Sequence, residues 1–136
     1  MEARDEGCAS FRYRFGRFLT EHLFDCLQVF GDLEEMLVME VVILHFQSGS
    51  AEPVPAHDEQ VAPLTASRIA KKTGIPRQTV RRKLLSLERR GWVTQTDNAA
   101  WRLAMRRGKF AFSSDLARFE KRGFERAMKL MSSSRT

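Results

Sequence analysis

Apolar side chains first recur at helical spacing between Phe11 and Phe30. Phe11, Phe15, Phe18, His22, Cys26 and Val29 step by three or four, and Leu19, Leu23 and Leu27 widen the stripe. This pattern predicts a helix whose apolar face is broader than the core of a small domain needs, so a partner subunit is expected to cover the remainder. Gly31 stops the pattern and Asp32 is placed to cap a second helix, Leu33 to Gln47, which is apolar nearly all round and expected at the centre of the fold. Periodicity then lapses. Residues 48–63 hold Ser48, Gly49, Ser50, three prolines and the polar run His57 to Gln60, the composition of a long loop.

Helical spacing returns at Leu64 to Lys72, with Thr65 as the cap, and is interrupted by Thr73-Gly74-Ile75-Pro76. A helix from Arg77 to Arg90 follows, with Val80, Leu84 and Leu87 on one face and Gln78, Arg81, Arg82 and Arg89 on the other. Two helices joined by a tight glycine turn form a helix-turn-helix: Ala70 is small where the helices approach, Gly74 permits the turn and Ile75 fills the gap. Gly91 ends the second helix. Trp92 to Thr96 and Trp101 to Ala104 then read as two short strands around Asp97-Asn98-Ala99-Ala100, a wing on which both tryptophans are expected to pack structurally. A last helix is expected over 113–132, capped by Ser113 or Ser114, with Leu116, Phe119, Gly123, Ala127 and Leu130 on one face and Phe124 and Met131 beside it. The Ser-rich end beyond Ser132 is expected to fray.

At 136 residues the chain is long enough for one ordinary domain with a core that needs no disulfide or metal. The expected organisation is a single domain over 1–136, with N-terminal helices at 11–47, a loop at 48–63, a winged helix-turn-helix at 64–109 and a terminal helix at 113–132. The net charge of +6 hides a strong asymmetry. Residues 1–64 carry 4 basic and 12 acidic side chains, whereas residues 65–109 carry 13 basic and 2 acidic ones. So concentrated a cationic segment calls for a polyanion, because each phosphate it neutralises releases condensed counterions. Double-stranded DNA is the expected partner: Arg can donate two bonds to guanine and Gln can pair with adenine in the major groove, while other cations grip phosphate.

The run Leu64 to Ala70, the segment Gly74-Ile75-Pro76-Arg77-Gln78-Thr79-Val80 and above all Leu87-Glu88-Arg89-Arg90-Gly91-Trp92-Val93 resemble the winged helix-turn-helix of MarR-type bacterial transcriptional regulators. The resemblance covers about 45 residues, and the long helices on either side agree with that family's layout. It implies a mainly α fold with a small β-hairpin wing, flanked by N- and C-terminal dimerisation helices. It also implies a cytoplasmic, homodimeric repressor reading a pseudo-palindromic operator, and a small-molecule effector whose chemistry the sequence does not assign. Arg77, Gln78, Thr79, Arg81 and Arg82 fall where the family approaches DNA. Arg68, Arg102, Arg106, Arg107 and Lys109 are expected on backbone phosphate. Pro76 stands where many members have a capping serine, and the wing tip Asp97-Asn98-Ala99 lacks the arginine that commonly enters the minor groove.

No cofactor or metal site is expected. His22 and Cys26 lie one helical turn apart, but two ligands do not make a site, and His57-Asp58-Glu59 is a weakly constrained run of neighbours. Cys8 and Cys26 are expected to be reduced thiols. No phosphate loop, nucleophile elbow or acid/base pair points to an enzyme, no stretch is long and apolar enough for a membrane span, and the acidic N-terminus is unlike a secretory leader. The rival readings are a winged-helix module for an acidic protein partner and an architectural DNA binder indifferent to sequence.

Overall fold

The computed structural model describes residues 2–47 and 62–133. The expected loop therefore lies, but for Ala62 and Pro63, outside the described residues, as do His57-Asp58-Glu59 and the last three residues. The elements in chain order are α1 (Glu2–Phe30), α2 (Leu33–Gln47), α3 (Ala66–Thr73), α4 (Arg77–Arg89), β1 (Val93–Gln95), β2 (Trp101–Leu103), β3 (Met105–Arg106), β4 (Lys109–Phe110), α5 (Ala111–Asp115) and α6 (Ala117–Ser133). They form two compact units, one of Met1–Gly31 with Leu116–Thr136 and one of Asp32–Asp115.

The first unit is the helix pair α1 and α6. Helix α1 starts well before Phe11, because apolar periodicity reports the packed face of a helix and not its solvated turns, and no proline interrupts residues 2–10. It closes on Gly31, whose φ of 88° lets its N–H reach back to the Leu27 carbonyl at 2.9 Å. Phe30 stacks edge-on to Phe119, and His22 lies flat between Phe18 and Phe119. The two helices are pinned by Asp25, which is buried and accepts from Arg122 Nε at 2.8 Å, Arg122 Nη2 at 2.7 Å and Arg126 Nη1 at 3.0 Å. These arginine bonds, Arg122 foremost, hold the Asp25 carboxyl below the usual carboxylate range. The last helix departs from expectation: Ser113 and Ser114 lie inside the short α5, and α6 begins after Leu116, whose carbonyl accepts the Glu120 N–H at 2.8 Å.

The second unit is a winged helix-turn-helix. Helix α2 packs on α4 and β2, and α3 packs on α4. Val38, Met39, Val42, Leu64, Ile69, Val80, Leu84, Leu87, Val93 and Phe112 are almost completely buried together with Trp101. Asp32 caps α2, accepting the Glu35 N–H at 2.6 Å, and it also receives the Lys83 ammonium at 2.6 Å. Burial alone would raise the Asp32 carboxyl, but Lys83 and the backbone N–H groups outweigh it and hold it low. Strands β1 and β2 pair antiparallel with Thr94 opposite Arg102, and Leu64 adds an isolated bridge to Trp101. The protein is thus mainly helical with a small antiparallel hairpin after the helix-turn-helix, as its sequence pattern predicts. The β3–β4 hairpin has no counterpart in that pattern: two strands of two residues are too short for a period-2 signal to register.

Candidate nucleic-acid interface

Local chemistry fixes each part of the motif. Thr65 Oγ1 accepts the Arg68 N–H at the start of α3, and Gly74, at a φ of 77°, ends that helix by donating to the Ala70 carbonyl at 2.8 Å. Thr73 Oγ1 accepts the Ile75 N–H at 3.1 Å, which turns the chain and sends Ile75 into the core. Pro76 supplies no side-chain cap, but its fixed φ of −56° starts α4, and its carbonyl takes the Val80 N–H. At the far end Gly91 donates to the Glu88 carbonyl and Trp92 N–H to the Leu87 carbonyl, the paired bonds of a Schellman stop.

With Val80, Leu84 and Leu87 buried, the opposite face of α4 is forced outward. Gln78, Arg82 and Arg89 fall on one straight stripe at i, i+4 and i+11, with Arg81 beside it, and all four are exposed. Arg77 is exposed in the first turn, and Thr79 is half-buried and accepts from Arg82 Nη2 at 3.4 Å. The fold therefore brings Arg77, Gln78, Thr79, Arg81 and Arg82 together on two turns of one helix. Arg68 is half-buried on α3 and donates to the Pro63 carbonyl at 2.9 Å; Arg102 is half-buried on β2. The wing tip turns through Ala99 at a φ of 59°, closed by the Thr96 N–H on the Ala100 carbonyl at 2.7 Å.

Arg106 and Arg107 lie elsewhere. The Arg106 guanidinium rests over the end of α4: a methyl added to Gly91 would lie 3.8 Å from Nη2. A 13-residue helix is about 20 Å long, so this cluster stands roughly that far from Arg77 along the helix axis. Two supports escaped the sequence reading. Asp115 Oδ2 accepts the Trp92 indole N–H at 2.9 Å and Oδ1 faces Arg106 Nη1 at 3.5 Å; the indole bond first, with Arg106 beside it, holds this exposed carboxyl below the usual range. Glu35, buried, faces Arg90 Nη2 at 3.0 Å, and Arg90 also covers the Trp92 ring at 5.0 Å. Arg90 is thereby tied to a buried carboxylate, a structural role that no one-dimensional signal separates from Arg89. Among the described residues no group of His, Cys, Asp and Glu is placed to hold a metal ion, and no helix is long and apolar enough to cross a membrane.

The geometry defines a class, the helix-turn-helix with an apolar back and a cationic, hydrogen-bonding front. Family comparison agrees: the IclR helix-turn-helix domain model matches residues 58–97, the span that carries α3, the turn, α4 and β1. Residues 58–97 are thus similar to the IclR helix-turn-helix domain, and the protein is a DNA-binding transcription regulator of helix-turn-helix type. Searches of curated proteins and of solved structures found no match to the chain.

Proposed function

We propose that the protein is a homodimeric repressor that reads a pseudo-palindromic operator in duplex DNA through α4. The observation that carries this reading is the outward stripe of Gln78, Arg81 and Arg82 on a helix whose opposite face is locked in the core. Arg81 and Arg82 have the two-pronged donors that suit guanine, Gln78 the paired donor and acceptor that suit adenine, and Arg77 and Thr79 sit at the helix start that enters the groove first. Arg68 and Arg102 grip phosphate on either side and fix the register. Two copies are invoked because the helix pair leaves Phe11, Phe15, Phe24, Phe124 and Met128 exposed, apolar surface that suits the interleaved terminal helices of a MarR-type dimer. Such a regulator works in the cytoplasm, beside a bacterial chromosome.

The Arg81→Ala/Arg82→Ala double variant tests the reading. It should lose discrimination between selected and scrambled duplexes, and wild-type binding by that variant overturns the assignment. For the dimer, Leu116 and Phe119 are unsuitable targets although the sequence pattern offers them, because both are already buried. Phe124→Glu with Met128→Glu should instead give a monomer in light scattering with the helix content kept, and a monomeric wild type contradicts the proposal.

A further inference from the structure

The β3–β4 hairpin is built in a way its folding does not require. Its two central residues, Arg107 at a φ of 55° and Gly108 at 77°, both take the left-handed backbone of a type I′ turn. Asn or Gly is the ordinary first residue there, and the Cβ of a long cationic side chain is disfavoured in that region. Arg106, Arg107 and Lys109 are all exposed, and they line an open recess of about 450 Å3 together with Phe110, Ser113 and Ser114. Asp115 is the acidic side chain that answers Arg106, and it is fixed in turn by Trp92. Arg107 and Lys109 have no ion pair among the described residues.

The position of this cluster decides its partner. The outward stripe of α4 runs from Gln78 through Arg82 to Arg89, two residues before Gly91, and Arg106 rests over Gly91. Positive charge therefore continues from the base-reading turns, along about 20 Å of helix, onto the hairpin. The tip of the first wing, Asp97-Asn98-Ala99, offers no cation.

We propose that β3–β4 is a second wing, in which Arg107 and Lys109 clamp the sugar-phosphate backbone of the same duplex at the end of the footprint remote from Arg77. This rests on the reading of α4 as the DNA-reading helix. Arg106 is a positioning residue, tying the hairpin to Asp115, and the strained Arg107 places a charge at the tip that asparagine would not supply.

Arg107→Asn with Lys109→Gln tests this, since asparagine suits the turn and both charges are removed. A duplex selected from a random pool and a scrambled duplex of equal length serve as probes, titrated with KCl, alongside Arg82→Ala. The thermal midpoint of the hairpin variant should be unchanged or raised. The slope of log K against log salt should fall by about 1.8, roughly 0.9 for each lost phosphate, and affinity should drop by the same factor on both duplexes. A wild-type slope, or lost discrimination without a change of slope, overturns the second wing. If Arg82→Ala loses discrimination while the hairpin variant keeps its slope, the second wing alone is wrong. If neither variant differs from wild type, the reading of α4 has failed as well.

Discussion

The two units bury their apolar side chains very differently. Residues 32–115 close a core around α2, α4 and β2, in which Val38, Val42, Leu64, Ile69, Val80, Leu84 and Leu87 are all fully buried. The first unit buries Cys26, Phe30, Leu116 and Phe119, yet leaves Phe11, Phe15, Leu19 and Phe24 on α1 and Phe124 and Met128 on α6 exposed. A unit of four helices with strands encloses a core, whereas two helices have one contact line and two open flanks. The pair spends polar chemistry instead, in the Asp25 clamp. Sequence-specific binding needs a rigid reading head, which the closed core supplies, whereas the first unit leaves apolar side chains in solvent.

The sharpest break of this comparison is Leu84→Ala. A fully buried leucine should cost about 2–5 kcal/mol in denaturant unfolding, and DNA binding should weaken with it; an effect below ~1 kcal/mol would mean that this core is not closed. Next comes Asp25→Ala, which removes a buried carboxylate from two partly exposed arginines that water can resolvate. About 1–3 kcal/mol is expected, less than for a fully buried pair. The sign of its pH dependence follows from the depressed Asp25 carboxyl. The stabilisation is complete above the unfolded carboxylate value of about 4 and is lost as pH falls through the lower folded value, so wild type and Asp25→Asn should converge in acid. Divergence on acidification would contradict the clamp. Arg82→Ala should leave stability unchanged while costing about 1–3 kcal/mol of operator affinity, measured by fluorescence anisotropy. The smallest effect is Ala99→Gly, which relieves a left-handed alanine at the first wing tip and should stabilise by about 0.5–1 kcal/mol; a loss of thermal stability would count against the turn as described.

The same contrast decides what the sequence made legible. Helices α3 and α4, their glycine turn and the first wing were readable because each is set locally, by Thr65, Gly74, Ile75 and Gly91 acting on neighbours within a few residues. The outward set on α4 was readable for the same reason, since three buried positions at helical spacing dictate the opposite face. What escaped is held by pairs distant in sequence: Asp25 with Arg122 and Arg126, Asp32 with Lys83, and Trp92 with Asp115. Charge counting cannot tell an arginine turned onto a buried partner, such as Arg90, from one turned to solvent, such as Arg89. The start of α1 and the break at Leu116 were missed because solvated turns and short helices carry no periodic signal.

The central claim is that α4 reads a specific sequence from a two-fold protein. Selection of bound duplexes from a random pool, repeated across a salt series, tests it most directly. The account predicts an enriched two-fold motif with half-sites about one helical turn, roughly 10 base pairs, apart, its preference over scrambled duplex persisting as salt rises. Binding that enriches no sequence and fades with salt alike on every duplex would contradict it.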